Sequence, residues 1–251
     1  MKIISICNVK GGVGKTTVSI NLAGELAQQG YKTLIIDNDA QSNVTQIFSI
    51  QLEKTDLSLY DVYTDKKVGF EDCIYQHSDN LYIVPNIIRS SKLDFELNQR
   101  IGREGILKSK IATIPDIFDY VIIDNSPHLG ITFQNSLSMS DYYIAVIDNS
   151  TSSLQALNML DELIEEMNEI GVTSQLRELG IIRSKFDKTT SFTKQFNEVV
   201  EESFKDKLFE NIIYNSVKYK EAVAMHLTIQ EYNKKASETF KKLIDEIKER
   251  M

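Results

Sequence analysis

The chain has 251 residues, 42% of them hydrophobic, which is enough for one sizeable core and predicts a single α/β domain over 1–251. A formal net charge of -8 excludes a protein that coats nucleic acid with its whole surface, so any DNA contact needs a local basic patch. The two cysteines, Cys7 and Cys73, have neither CxxC nor zinc spacing, no stretch has the ~18 apolar residues of a membrane span, and polar Asn8 and Lys10 cut short the N-terminal apolar run; a cytoplasmic location is expected.

Short Ile- and Val-rich runs alternate with longer periodic segments, the pattern of βαβ units around a parallel sheet. The first strand is predicted over Lys2 to Cys7 and the first helix over Lys15 to Gln29, stopped by Gly30. Further strands are predicted at Thr33 to Ile36, Leu81 to Val84, Tyr120 to Ile123, Tyr143 to Ile147 and Leu179 to Arg183. All are nearly wholly apolar, as in strands buried on both faces. The stretch from Leu52 to Gln76 is less regular. Helices are expected over Leu93 to Ile114 and Leu154 to Ile170, and from about Ile229 to the end. The last carries an apolar stripe of Phe240, Leu243, Ile244, Ile247 and Met251. Its polar face balances acidic and basic residues, which favours packing on the core over a membrane surface.

Between the first strand and first helix lie Lys10, Gly11, Gly12, Val13, Gly14, Lys15, Thr16 and Thr17. Glycines let successive N–H groups turn into one concavity, and the helix N-terminus adds partial positive charge, so the segment reads as a phosphate loop. Lys15 can reach β- and γ-phosphates, the Thr16 hydroxyl can ligate Mg²⁺, and Thr17 falls near an α-phosphate. The usual pattern has a glycine five places before Gly14; here that residue is Val9. Lys10 is a second lysine at the outer edge of the loop, where it can serve a phosphate bound to a facing subunit. Two predicted strands end in carboxylates, one in Asp37-Asn38-Asp39 and another in Asp124. Strand C-termini line the ligand crevice of a parallel sheet. A carboxylate there can orient a water for attack on the γ-phosphate or hold a Mg²⁺-bound water.

The string from Lys10 to Thr17 resembles the deviant Walker A motif of the ParA/MinD family of ATPases. Asp37 to Asn43 resembles the DxDPQxN segment of its ParA branch, with Ala40 in place of proline. Asp124 to Gly130 resembles the DxPPSLG switch II, with Ser126 and His128 substituted. The resemblance implies a three-layer P-loop fold, a mostly parallel twisted sheet flanked by helices, that binds ATP or ADP with Mg²⁺. It implies that Lys10, Lys15 and Asp39 are catalytic, with Asp39 positioning water and Asp37 supporting it. Asn43 falls in switch I, Pro127 and Gly130 in switch II, and Thr16, Asp39 and Asp124 form the metal set. Segments around Ser184 and Lys185, and Tyr214 and Asn215, resemble those that flank the adenine.

ParA-branch members alternate between an ADP monomer and an ATP sandwich dimer that binds DNA without sequence preference. They act with a ParB-like centromere-binding or adaptor protein to partition plasmids or chromosomes. By the same resemblance the DNA face lies in the C-terminal half, where this chain carries Arg183, Lys185, Lys188, Lys194, Lys218 and Lys220. A nucleoid association is expected and a membrane partner is not. The alternatives are a related ATPase that positions a protein cargo and a MinD-like membrane-cycling regulator.

Overall fold

Strand β1 (Lys2–Cys7) leads through a glycine turn into α1 (Lys15–Gln28), in a computed structural model that describes every residue except 174, 188 and 189. Gly30, at φ 91°, ends α1 as expected, because only a left-handed residue lets the Gly30 and Tyr31 amides fold back onto Ala27 and Leu26. There follow β2 (Thr33–Asn38), α2 (Asn43–Ile47), α3 (Leu59–Thr64), β3 (Tyr75–Gln76) and β4 (Leu81–Val84). Next come α4 (Leu93–Leu97), α5 (Ile106–Lys110), β5 (Tyr120–Asn125), α6 (Ile131–Met139), β6 (Tyr142–Ile147) and α7 (Thr151–Glu169). The chain ends in β7 (Arg177–Phe186), α8 (Ser191–Phe204), β8 (Ile213–Tyr214), α9 (Val217–Ala224), α10 (Ile229–Tyr232) and α11 (Lys234–Arg250).

The strands form one sheet in the order β3-β4-β2-β5-β1-β6-β7-β8, parallel throughout except for the β3–β4 pair. Strand β1 therefore sits in the middle, between β5 and β6, so the turn after it opens where the connections diverge to the two halves of the sheet. Alternate residues of β1 go to opposite faces: Ile4 and Ile6 join the core under α1 and α11, while Ile3 joins the core under α3, α4 and α5. A third core packs α6, α7 and α8 around Phe133, Leu160 and Phe196.

Two expected helices differ. The stretch from Leu93 to Ile114 is α4, α5 and short 3₁₀ turns rather than one helix. Gly102 takes a left-handed φ of 68°, which breaks the run. The C-terminal helix begins at Lys234, because Asn233 stops α10 and its side chain caps α11 by accepting from the Ala236 amide at 3.0 Å. Phe240, Leu243, Ile244 and Ile247 are each at most 1% exposed, so the apolar stripe is taken up by the core. Among the described residues no helix is long and apolar enough to cross a membrane.

Candidate active site

Gly12 and Gly14 turn the loop after β1 with φ of 81° and 103°. A side chain on Gly11 or Gly12 would project into open space, whereas one on Gly14 would strike Ser184 Oγ at 2.6 Å. The loop thus wraps a concavity at the N-terminus of α1, a shape suited to phosphate. Lys15 is only 6% exposed, and its Nζ donates to the Lys10 carbonyl at 3.2 Å. Burial lowers its pKa, while Asp124, Cys7 and Asp39 favour the charged form.

Asp124 is fully buried at the end of β5. Its Oδ2 accepts from Thr16 Oγ1 at 2.8 Å and its Oδ1 from Ser19 Oγ at 2.8 Å. Burial raises its pKa to about 6, against the opposing pull of the two hydroxyls and Lys15. Asp37, directly across the β2–β5 ladder, is raised to about 7, again chiefly by burial. Its Oδ2 accepts from the Thr45 hydroxyl at 2.6 Å and the Thr45 amide at 2.9 Å, which pins the first turn of α2 under the loop that holds Asp39. Asp39 is partly exposed and its Oδ1 accepts from the Gln41 amide at 2.9 Å, so its carboxylate is set in a tight side-chain turn.

Gly11, Gly12, Gly14, Lys15, Thr16, Thr17, Asp39, Asn43 and Pro127 line one cavity of about 360 Å³, with Lys185 and Val223 on its far wall. A second cavity of about 230 Å³ shares Thr17, Lys185 and Val223 and is lined by Ser184, Tyr214 and Asn215 with apolar Ile213 and Tyr219. The expected phosphate and base contacts therefore occupy adjoining hollows. Gly130 lies against the Asp94 carboxylate, which would overlap any side chain there and which accepts from the Ile131 amide at 2.8 Å. Lys10 is held within its own subunit: its Nζ donates to Asp148 Oδ2 at 2.6 Å and Ser150 Oγ at 2.7 Å. Burial pushes the Asp148 pKa up, but bonds from Lys10, Ser150 and Ser153 outweigh it and hold the carboxyl below its usual value.

Residues 1–178 match the AAA domain family AAA_31. The chromosome-partitioning ATPase Soj of Treponema pallidum is 31% identical over 98% of this chain and 96% of its own. The chain belongs to the ParA/Soj family of P-loop ATPases. The sporulation initiation inhibitor protein Soj of Bacillus subtilis, another ParA/Soj relative, is 32% identical over 88% of this chain and 87% of its own. The fold also matches the structure of Cyanothece McdA in complex with ATP, with a TM-score of 0.88, 23% identity and coverage of 100% of this chain and 96% of that one.

Other ParA/Soj expectations fall in different places. Arg183 is 4% exposed, not on a DNA-facing surface. Its guanidinium donates to Asn197 Oδ1 and Glu201 Oε1, both at 2.8 Å, and to the Phe209 carbonyl at 2.9 Å. A strand covered by α8 draws the charge inward because these acceptors are there to meet it. Arg183→Met is expected to lower unfolding stability by roughly 2–3 kcal/mol, since the buried Phe209 carbonyl loses its charged donor; urea unfolding measures this. Lys185, at a left-handed φ of 58°, donates to the Gly12 carbonyl at 2.5 Å and so closes over the phosphate loop. Lys194 and Lys220 are exposed, and Lys218 is ion-paired with Glu221 at 2.8 Å. Lys188 lies outside the described residues. Sequence reasoning missed Ser19, Thr45, Asp94 and Asp148. Only Ser19 carried a signal, one helical turn after Lys15 on the same face of α1.

Proposed function

We propose that residues 1–251 act as one ATPase domain that drives partition of plasmid or chromosomal DNA, alternating between an ADP monomer and an ATP sandwich dimer. The reading is carried by one cavity in which the glycine loop, Lys15, Thr16 and Asp39 face each other, joined to Asp124 through the Thr16 hydroxyl. Likeness to Soj supports it.

ATP is the substrate. The loop amides and Lys15 bind its phosphates, and the Asp39 carboxylate orients water toward the γ-phosphate. Among the described residues no three His, Cys, Asp or Glu side chains converge into a metal cage, but the Thr16 hydroxyl with Asp124 and Asp39 nearby is an oxygen set that fits Mg²⁺. When bound, Mg²⁺ neutralises phosphate charge. Lys10 exchanges Asp148 for a phosphate on the facing subunit. Ser184, Lys185, Tyr214 and Asn215 hold the base, and Asn43, Pro127 and Gly130 belong to the switch segments. The ATP dimer binds DNA without sequence preference through Lys194, Lys218 and Lys220. A ParB-like partner on the cargo stimulates hydrolysis, and the chain works in the cytoplasm on the nucleoid. With the apolar stripe of α11 buried, DNA is favoured over a membrane as the track.

Two weak basic patches held rigidly in a dimer act as one stronger site, which makes DNA affinity depend on ATP. Neutralising roughly four to eight phosphates gives a slope of about -4 to -7 for log affinity against log salt. Anisotropy with a random-sequence labelled duplex should show this slope in MgATP and much weaker binding in MgADP. Lys218→Glu with Lys220→Glu should weaken binding equally on all sequences while ATP still binds. If the ATP-bound chain has no salt-sensitive DNA affinity at low ionic strength, the DNA track is wrong and a protein or membrane track replaces it.

A further inference from the structure

Below the carboxylates, on the opposite face of the sheet, lies a buried chain of side-chain hydrogen bonds that the ATPase chemistry described so far does not use. Asn38 and Asn125 are directly opposed and are the last register pair of the β2–β5 ladder. Beyond them the two strands part into the loops that carry Asp39 and Pro127. Asn38 Nδ2 donates to Asn125 Oδ1 at 2.9 Å and to the Thr132 carbonyl, in the first turn of α6, at 2.9 Å. Asn125 Nδ2 donates to the Ile6 carbonyl of β1 at 3.2 Å. The Tyr63 hydroxyl donates to Asn38 Oδ1 at 3.0 Å and lies 3.2 Å from the Thr132 carbonyl. The three side chains are 3%, 1% and 1% exposed for Asn38, Asn125 and Tyr63.

The placement of this network is informative. Asn38 immediately precedes Asp39, and Asn125 immediately follows Asp124. One amide–amide bond thus ties the backbones that set both carboxylates, at the point where the sheet stops holding them together. The same atoms reach β1, just before the phosphate loop, and α6, just after switch II. A buried polar network gains little stability over well-packed apolar side chains of the same shape, but fully bonded it fixes one relative position of the parts it joins.

We propose that Asn38 and Asn125, supported by Tyr63, are positioning residues that lock switch I to switch II, so that the Asp39 and Asp124 carboxylates keep one spacing through the ATP cycle. The inference rests on the ATPase reading of the site. Asn125 also lines the nucleotide cavity, whereas Asn38 and Tyr63 do not, so loss of Asn38 or Tyr63 should alter turnover more than ATP binding.

The test compares Asn38→Leu, Asn125→Leu, the double variant and Tyr63→Phe for kcat, KM and amide exchange. Each leucine variant should lower kcat about tenfold, and Asn38→Leu, which lies outside the nucleotide cavity, should change KM less than about twofold, since one or two buried hydrogen bonds are lost. The double variant should lose less than the product of the two singles, because both break the shared Asn38–Asn125 bond. Tyr63→Phe should lower kcat roughly threefold, and it carries the kinetic test if the leucine variants do not fold. In the nucleotide-free chain, Asn125→Leu should speed exchange of the Gln41 and Ser42 amides, in the loop after the other strand, about fivefold or more. A role confined to β5 packing would not move them. Unchanged kcat in the variants of a wild-type chain that turns over ATP, losses that multiply in the double variant, or unchanged Gln41 and Ser42 exchange each overturn the coupling. A wild-type chain that turns over no ATP removes the ATPase reading as well.

Discussion

Lys15→Ala should reduce ATP turnover by roughly 10²–10³-fold, the usual loss when one preorganised donor to developing charge is removed. Phosphoryl transfer leaves the protein little covalent chemistry, so positioning and charge carry most of the rate. Lys15 is the buried cation at the mouth of α1, aimed at the loop by the Lys10 carbonyl. Its ammonium is held in low-dielectric surroundings that water does not screen, and its charge is favoured by Asp124. Within one subunit the two described lysines beside the loop are engaged elsewhere, Lys10 by Asp148 and Lys185 by the Gly12 carbonyl. Phosphate release at saturating MgATP measures the loss, and turnover within twofold of wild type would remove Lys15 from the active site.

Asp39→Ala should separate binding from chemistry. The phosphate loop and the Thr16–Asp124 bond do not involve Asp39, so ATP should still bind. Turnover should fall about 10²-fold, because the carboxylate that orients the attacking water is gone. The alanine also deletes the acceptor for the Gln41 amide, which could loosen the loop by itself. Asp39→Asn settles the cause, since it keeps an acceptor for Gln41 while removing the charge. Equal losses in both variants, with fluorescent ATP bound normally, are expected. A near wild-type rate in Asp39→Asn would assign Asp39 a purely structural role.

The phosphate loop, Asp37, Asp39 and Asp124 were legible because each follows an apolar run that can only be a buried strand, and the glycines mark the turn. The two-residue strands β3 and β8 were not, because neither is long enough to show a period. Over Leu93 to Ile114 the spacing of apolar residues suggested one helix, yet Phe95 is 87% exposed and Ile101 fully so. Spacing does not say which apolar residues find a core. Asp148 was invisible for a different reason: it meets Lys10 across 138 positions of sequence, at the end of a strand whose neighbour is fixed only by sheet order. Arg183 read as a surface charge because the acceptors that bury it lie on α8 and in the loop before β8.

Bound ATP is expected to join two copies of the chain across their nucleotide sites. Light scattering on Asp39→Ala, with MgATP and with MgADP, tests it most directly, because slowed hydrolysis lets the ATP state accumulate. Twice the chain mass is expected in MgATP, the single-chain mass in MgADP, and a Lys10→Ala variant should bind ATP yet stay at the single-chain mass. An Asp39→Ala chain that remains monomeric with ATP bound, or a Lys10→Ala chain that dimerises normally, would contradict it.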